Sequence, residues 1–155
     1  MTFKTKNKVL VAQTKTSTIE FGDKIKVGDF EVPGPGEFEI DNILVSSEEE
    51  NIYSIYADGA HVVFWRALNG QPHIDEQLGD IDALVLELGE KTTIKDVTAT
   101  INNLEPNDIV LSRPDKKDEL IKAEGLPTKE LESWKIEPEG GVTDRELILL
   151  PCSKE

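Results

Sequence analysis

At 155 residues, with 37% hydrophobic side chains and a formal net charge of −14, the chain has the size of one domain. No apolar run approaches the ~20 residues that span a bilayer, no apolar segment follows Met1, and the only cysteine, Cys152, cannot form an internal disulfide. These features predict a cytoplasmic protein without a membrane span or a secretion signal.

The charge is unevenly distributed. Residues 1–26 carry six lysines and two acidic residues, a balance of +4, and residues 27–155 have a balance of −18. Such an acidic body repels phosphate backbones, so a nucleic-acid function is not expected. We predict a single domain over residues 1–155 in which residues 1–7 form a flexible, solvated tail. A subsidiary hypothesis has this lysine-rich arm bind RNA or an acidic partner.

The first half of the chain has the pattern of short strands joined by tight turns. An apolar run over residues 8–12 precedes a polar loop at 13–18, and residues 23–32 alternate around a Gly28-Asp29 hairpin signal. No helix can cross the Pro-Gly-Pro-Gly run at residues 33–36. Strands are then predicted around the Asp41-Asn42 turn, at 52–57 and at 60–65, with a charged connection at 46–51 and a hairpin at Asp58-Gly59.

Beyond residue 65 the pattern changes to alternating strands and helices. A loop is predicted at 69–72, a helical turn at 74–78 ended by Gly79, and a buried strand at 82–88. Thr93 caps a helix that Pro106 ends, and a strand follows at 109–111. A charged helix is predicted at 115–124, and segments 132–136 and 145–150 are predicted to form a closing hairpin. An antiparallel meander followed by strand-helix-strand units predicts an α/β layered fold with a mixed sheet that helices cover on one face.

Four segments, in their order along the chain, carry a family resemblance. They are Pro-Gly-Pro-Gly-Glu-Phe-Glu-Ile at 33–40, Tyr-Ser-Ile-Tyr-Ala-Asp-Gly at 53–59, Leu-Gly-Asp-Ile-Asp-Ala-Leu at 78–84 and Leu-Glu-Pro-Asn-Asp-Ile-Val at 104–110. Together with residues 134–136 and 146–151, they resemble the metallo-β-lactamase-fold hydrolase-like proteins. The similarity is greatest to the small prokaryotic branch with a Pro-Gly-Glu-Tyr-Glu type motif. The resemblance implies a truncated version of that fold, without its opening strands.

The chemistry of that family needs histidines and aspartates that hold one or two metal ions and turn a bound water into hydroxide. The resemblance places the ligand regions on residues 13–18, on 64–68 and on 112–114, where this chain has other side chains. We call these the replaced ligand positions: Gln13, Lys15, Ser17, Thr18, Phe64, Ala67, Arg113 and Pro114. We therefore expect a degenerate site without a metal or another cofactor, and we expect Gln13, Lys15, Ala67 and Arg113 to converge on one pocket.

Four other side chains are weak candidates for catalysis. Glu37 and Glu39 are two apart on a strand, an arrangement that can raise the pKa of one carboxyl group but that also describes a polar strand face. His61, beside a hairpin turn, and His73, after a proline, have the positions of surface or loop histidines. For all four side chains, a position on the polar surface or in a loop is favoured over a catalytic role.

Two hypotheses about function follow. The first is a non-catalytic metallo-β-lactamase-like domain with a binding, assembly or structural role. Because a truncated fold would leave an apolar face or edge uncovered, this hypothesis includes a homo-oligomer, most simply a dimer, and it allows a protein partner. The alternative is a divergent hydrolase with a displaced or metal-independent site that uses Glu37, Glu39, His61 or His73.

Overall fold

The computed structural model describes residues 1–49, 51–67, 72, 79–89, 91–113, 117–136 and 145–150, without the side chains of residues 113 and 117. Within these residues the chain forms fourteen strands and two helices. The strands are β1 Thr2–Lys6, β2 Val9–Gln13, β3 Thr18–Phe21, β4 Ile25–Val27, β5 Phe30–Glu31, β6 Gly36–Ile40, β7 Ile43–Glu49, β8 Ile52–Ala57, β9 Ala60–Ala67, β10 Ala83–Leu88, β11 Asp108–Arg113, β12 Thr128–Glu130, β13 Ser133–Lys135 and β14 Leu147–Leu149. The helices are α1 Ile94–Leu104 and α2 Lys117–Glu124.

The strands form two sheets. The six-stranded sheet has the order β13-β1-β2-β3-β4-β5, and the eight-stranded sheet has the order β12-β14-β11-β10-β9-β8-β7-β6. All neighbours in the six-stranded sheet are antiparallel. The eight-stranded sheet is mixed, because β6 to β9 form an antiparallel meander and β9, β10, β11, β14 and β12 run parallel. The predicted mixed sheet is therefore present.

Apolar side chains form two cores, one on each side of the eight-stranded sheet. The core between the two sheets joins Phe3, Phe21 and Val27 of one sheet to Phe64 and Val85 of the other. The second core lies beneath the helices and contains these side chains among others: Val63, Trp65, Leu84, Leu86, Val97, Ile101, Leu104 and Leu120. Because β9 and β10 are buried on both faces, every residue of β10 is buried and its sequence is apolar at every position except Glu87, rather than alternating.

The turns and the first helix follow the predicted local chemistry. Asp41 and Asn42 have φ values of 51° and 64°, and Asp58 and Gly59 have φ values of 53° and 75°, as two-residue hairpin turns require. Thr93 caps α1, since its side-chain oxygen accepts a hydrogen bond from the backbone N–H of Asp96 at 3.2 Å. The hairpins at 41–42 and 58–59 and the capped helix are thus confirmed.

Three predicted elements are wrong. Residues 2–6 are strand β1, paired on both sides with β2 and β13, rather than a flexible tail. The buried ring of Phe3 packs in the core and holds this strand in place. The lysines of the same segment had indicated a solvated tail instead. The connection predicted at 46–51 is largely strand, because β7 continues to Glu49. Segments 132–136 and 145–150 form no hairpin, since β13 pairs with β1 and β14 pairs with β11 and β12 in the other sheet.

The predicted helical turn at 74–78 lies outside the described residues. None of the helices in the described part of the chain is long and apolar enough to cross a bilayer.

Candidate functional site

The carboxyl ends of β9 and β10 bring two oppositely charged side chains together. The parallel register pairs Arg66 with Glu87, and the Nε of Arg66 donates to Oε2 of Glu87 at 2.5 Å. The side chains are 21% and 7% exposed, respectively. The pair is partly buried, so each charge depends on the other for compensation.

The same guanidinium connects the two sheets. Its Nη1 donates to the backbone carbonyl of Asp23 at 2.8 Å, and its Nη2 donates to the carbonyl of Gly22. Both carbonyls belong to the turn between β3 and β4 of the six-stranded sheet. The guanidinium carbon also lies 5.5 Å from the centroid of the Phe64 ring. Arg66 therefore fastens the turn at 22–24 to the end of the other sheet, and we call this arrangement the Arg66 clamp.

Beside the Arg66 clamp lies a cleft of about 440 Å³, which we call the strand-end cleft. Its walls come from both sheets and from the Pro-Gly run after β5. The lining residues are Asp23, Lys24, Ile25, Val32, Pro33, Gly34, Asn51, Tyr53, Phe64 and Arg66. The volume falls within the range of small-molecule pockets.

The residues described at this edge do not fit a zinc ion. Structural and catalytic zinc sites need at least three nitrogen, sulfur or oxygen donors that converge on one point. No group of three or more histidine, cysteine, aspartate or glutamate side chains converges in this way among the described residues. At the ends of β9 and β10 the side chains are the Arg66 guanidinium and its Glu87 partner, and the next residues are Ala67 and Leu88.

The replaced ligand positions do not converge on one pocket. Lys15, in the loop after β2, donates its backbone N–H to the carboxylate of Asp58 at 3.0 Å, so this loop lies beside the turn where β9 begins. Ala67 is the last residue of β9, roughly 23 Å further along the strand at ~3.3 Å per residue. Arg113 ends β11, on the same side as Ala67. Lys15 and Ala67 thus lie at opposite ends of β9, and the expected convergence of these four residues on one pocket is not observed.

The remaining replaced ligand positions have ordinary structural environments. Gln13 accepts a hydrogen bond from the Thr18 hydroxyl at 2.6 Å across the loop, and Ser17 lies against Gly28. Phe64 is a core residue that is 1% exposed. Pro114 lies outside the described residues.

His61 is buried rather than exposed, which corrects the prediction of a surface or loop histidine. It is 5% exposed, and its ring stacks on Tyr56 with centroids 4.1 Å apart. Its Nδ1 lies 2.8 Å from the carbonyl oxygen of Asp80, and its Nε2 lies 2.6 Å from Oγ of Ser54. Because a carbonyl only accepts, Nδ1 carries the proton and Nε2 accepts from the serine hydroxyl in the neutral ring.

Burial lowers the pKa of His61 below its ordinary value of 6.5, while the Asp80 carbonyl and the nearby Asp82 charge act in the opposite direction. The Asp82 carboxylate also accepts the backbone N–H of His61 at 2.8 Å. The neutral ring is thus held between strands β8 and β9 and the start of β10.

The other catalytic candidates do not join this group. Glu37 and Glu39 are exposed on β6, at the edge of the eight-stranded sheet and three strands away from β9. His73 lies outside the described residues. The sequence analysis did not identify Arg66, Lys24 and Asn51, which line the strand-end cleft. The available signal was the charged Arg66 directly after the apolar run at residues 62–65.

Comparison with known proteins supports the fold. The sequence matches no protein-family model and is not significantly similar to any curated protein. The structure is similar to the crystal structure of a proposed zinc-dependent hydrolase of the metallo-β-lactamase superfamily from Thermotoga maritima, with a TM-score of 0.71 and 12% identity. The match covers 96% of this chain and 97% of that chain. The family resemblance is thus confirmed for the fold. The predicted truncation is not observed, because the match extends over nearly the full length of both chains.

Proposed function

We propose that this chain is a metallo-β-lactamase-fold domain with a binding or assembly role and without hydrolase activity. The observation that carries the proposal is the Arg66 clamp. At the ends of β9 and β10, a region that the family resemblance assigns to metal ligands, this chain has a guanidinium committed to Glu87 and to two backbone carbonyls.

The electrostatics of the Arg66 clamp support this proposal. A guanidinium repels a divalent cation brought close to it, and the repulsion is stronger at a partly buried site than in water. Glu87 offsets part of this repulsion, but its carboxylate already bonds Arg66. If Glu87 bound a metal ion, the Arg66 guanidinium would lose its partly buried counter-charge. The Arg66 clamp and a metal ion would therefore compete for the same carboxylate.

The Ser54–His61 pair favours a second candidate, a metal-independent hydrolase. A serine hydroxyl 2.6 Å from a neutral imidazole nitrogen, with the other nitrogen held by a carbonyl, resembles the geometry of an activated nucleophile. Ser54 and His61 are only 6% and 5% exposed, which leaves a substrate little access to the hydroxyl. A structural hydrogen bond within the sheet therefore accounts better for the pair.

Metal analysis tests the first proposal. The full chain is purified without chelators, incubated with Zn²⁺, desalted and analysed by mass spectrometry for zinc, iron and manganese, beside a zinc protein of known stoichiometry. We expect well below one metal ion per chain. Stoichiometric metal together with metal-dependent hydrolysis would contradict the proposal.

Labelling with a fluorophosphonate tests the hydrolase alternative. We expect no labelling of the native chain, because the Ser54 hydroxyl is buried. Labelling that disappears in Ser54→Ala but persists in Ser46→Ala, a change on the neighbouring strand, would establish the alternative instead.

Self-association belongs to the same proposal. Leu44 and Tyr56 are directly opposite each other on β7 and β8, and they are 38% and 41% exposed. Cross-strand partners share one sheet face, so their side chains form a small apolar surface that a second copy could bury.

A further inference from the structure

The strand-end cleft has an apolar floor and a polar rim. Ile25 of β4, Val32 just after β5 and the rings of Phe64 and Tyr53 from the eight-stranded sheet form this floor, and of these four side chains only Tyr53 is not fully buried. Lys24, Asn51 and Arg66 supply nitrogen donors around it. Small-molecule sites typically combine such a floor with a few convergent polar groups.

The charged side chains that line the cleft are mainly positive. Among the described residues, Lys24 and Arg66 line the cleft against a single carboxylate, that of Asp23. The compensating carboxylate of Glu87 is only 7% exposed and lies behind the guanidinium, whose side chain is 21% exposed. The cleft-facing charges therefore favour an anion, although the whole chain has a net charge of −14.

Both cations can still donate hydrogen bonds. A guanidinium has five N–H donors, of which three are accounted for by Glu87, Asp23 and Gly22. Lys24 is exposed and makes no ion pair within the described part of the chain. A phosphate or carboxylate placed between these groups would receive charge-assisted hydrogen bonds from both.

From these observations we propose that the strand-end cleft binds a small organic anion, a phosphate monoester or a carboxylate with one ring or a short aliphatic body. The anionic group lies between Lys24 and Arg66, and the body packs on the half-buried ring of Tyr53 and on the exposed Pro33. This inference rests on the proposed function, because it assigns a ligand class to a site that we take to bind without metal chemistry.

Titration with phenyl phosphate tests the inference. Binding is followed by ¹H–¹⁵N NMR of the full chain, with benzyl alcohol as the uncharged probe and benzylammonium as the cationic probe. For a ligand of this size we expect saturable binding with a dissociation constant on the order of 1 mM. The shifts should centre on the amides of Gly34 and Asn51, and both other probes should bind much more weakly.

Lys24→Gln and Lys26→Gln form a matched pair, because both lysines are exposed and two residues apart but only Lys24 lines the cleft. We expect Lys24→Gln to weaken phenyl phosphate binding roughly threefold to tenfold and Lys26→Gln to change it less than twofold. Equal losses in the two variants, equal binding of benzyl alcohol, or the absence of saturable binding would each overturn the inference.

Phosphate release is measured in the same samples with and without Zn²⁺. Metal-dependent release of phosphate would overturn the proposed function while leaving the cleft as the anion site. Failure of binding in a metal-free, inactive protein would overturn the anion site alone. The two proposals therefore fail by different observations.

Discussion

At the scale of single residues, the most informative side chain is His61. Its position next to a hairpin turn predicts exposure, yet the ring is buried and bonded at both nitrogens. The difference arises because Ser54, on the neighbouring strand, and Asp80, nineteen residues away along the chain, complete the polar partners that a buried imidazole requires.

The lowered pKa of His61 predicts a loss of stability on acidification. The folded state holds the ring neutral, so the unfolded state takes up a proton first as the pH falls. The stabilisation is therefore present above about pH 6.5 and is lost below it. We expect the melting temperature to fall between pH 7 and pH 5.5, and His61→Gln should flatten this dependence.

His73→Gln is the control, since it removes the only other histidine. It should leave the pH dependence unchanged, and an unchanged profile in His61→Gln would contradict the assignment. The ¹⁵N shifts of the His61 ring should also report a proton on Nδ1 at pH 7.5.

At the scale of elements, strand β6 explains the paired glutamates better than catalysis does. β6 is the last strand of the eight-stranded sheet, and Glu37 and Glu39 are exposed on it. Edge strands present unpaired backbone groups, and charges on them discourage pairing with other molecules. Two such edges pairing antiparallel about Phe38 would place Glu37 opposite Glu39 of the other copy, a repulsive arrangement.

Removing both charges should therefore promote aggregation. We expect Glu37→Thr combined with Glu39→Thr to shorten the lag time of aggregation several-fold, because threonine favours strands and carries no charge. The measurement is light scattering with thioflavin T at neutral pH.

Glu20→Thr is the control, because Glu20 is exposed on β3, which has a neighbour on each side. If this control aggregates as fast as the double variant, net charge rather than the edge governs the effect.

At the scale of the whole molecule, the outer face of the six-stranded sheet is polar. On the six-stranded sheet Lys26 lies between Glu20 and Glu31, and all three are exposed. Opposite charges on neighbouring strands suit a face exposed to solvent. The apolar surface for self-association is therefore expected at Leu44 and Tyr56 on the eight-stranded sheet.

We predict that the chain is a dimer at about 10 μM in size-exclusion chromatography with light scattering. Physiological salt is needed, because the net charge of −14 opposes association and is screened over ~8 Å at 0.15 M. Leu44→Lys combined with Tyr56→Lys should give a monomer. Phe30→Lys, the matched change at an exposed apolar residue of the other sheet, should leave the dimer intact, and a monomeric native chain would contradict the prediction.

Local structure could be predicted from the sequence wherever it depends on residues that are adjacent in the chain. The Asp41-Asn42 and Asp58-Gly59 turns, the Thr93 cap and the mostly apolar, buried strand β10 depend on a few adjacent residues, and each was predicted. The order of resembling segments also predicted the fold that the structural comparison supports.

The sequence by itself thus determined the turns and most strands, because backbone propensity and hydrophobic periodicity are local properties, whereas the fold was indicated by the family resemblance. Only the tertiary structure decided that β1 is an inner strand, that β13 and β14 belong to different sheets and that Arg66 meets the turn at 22–24. These features join residues 43 to more than 100 positions apart, and no local pattern encodes which distant strands become neighbours.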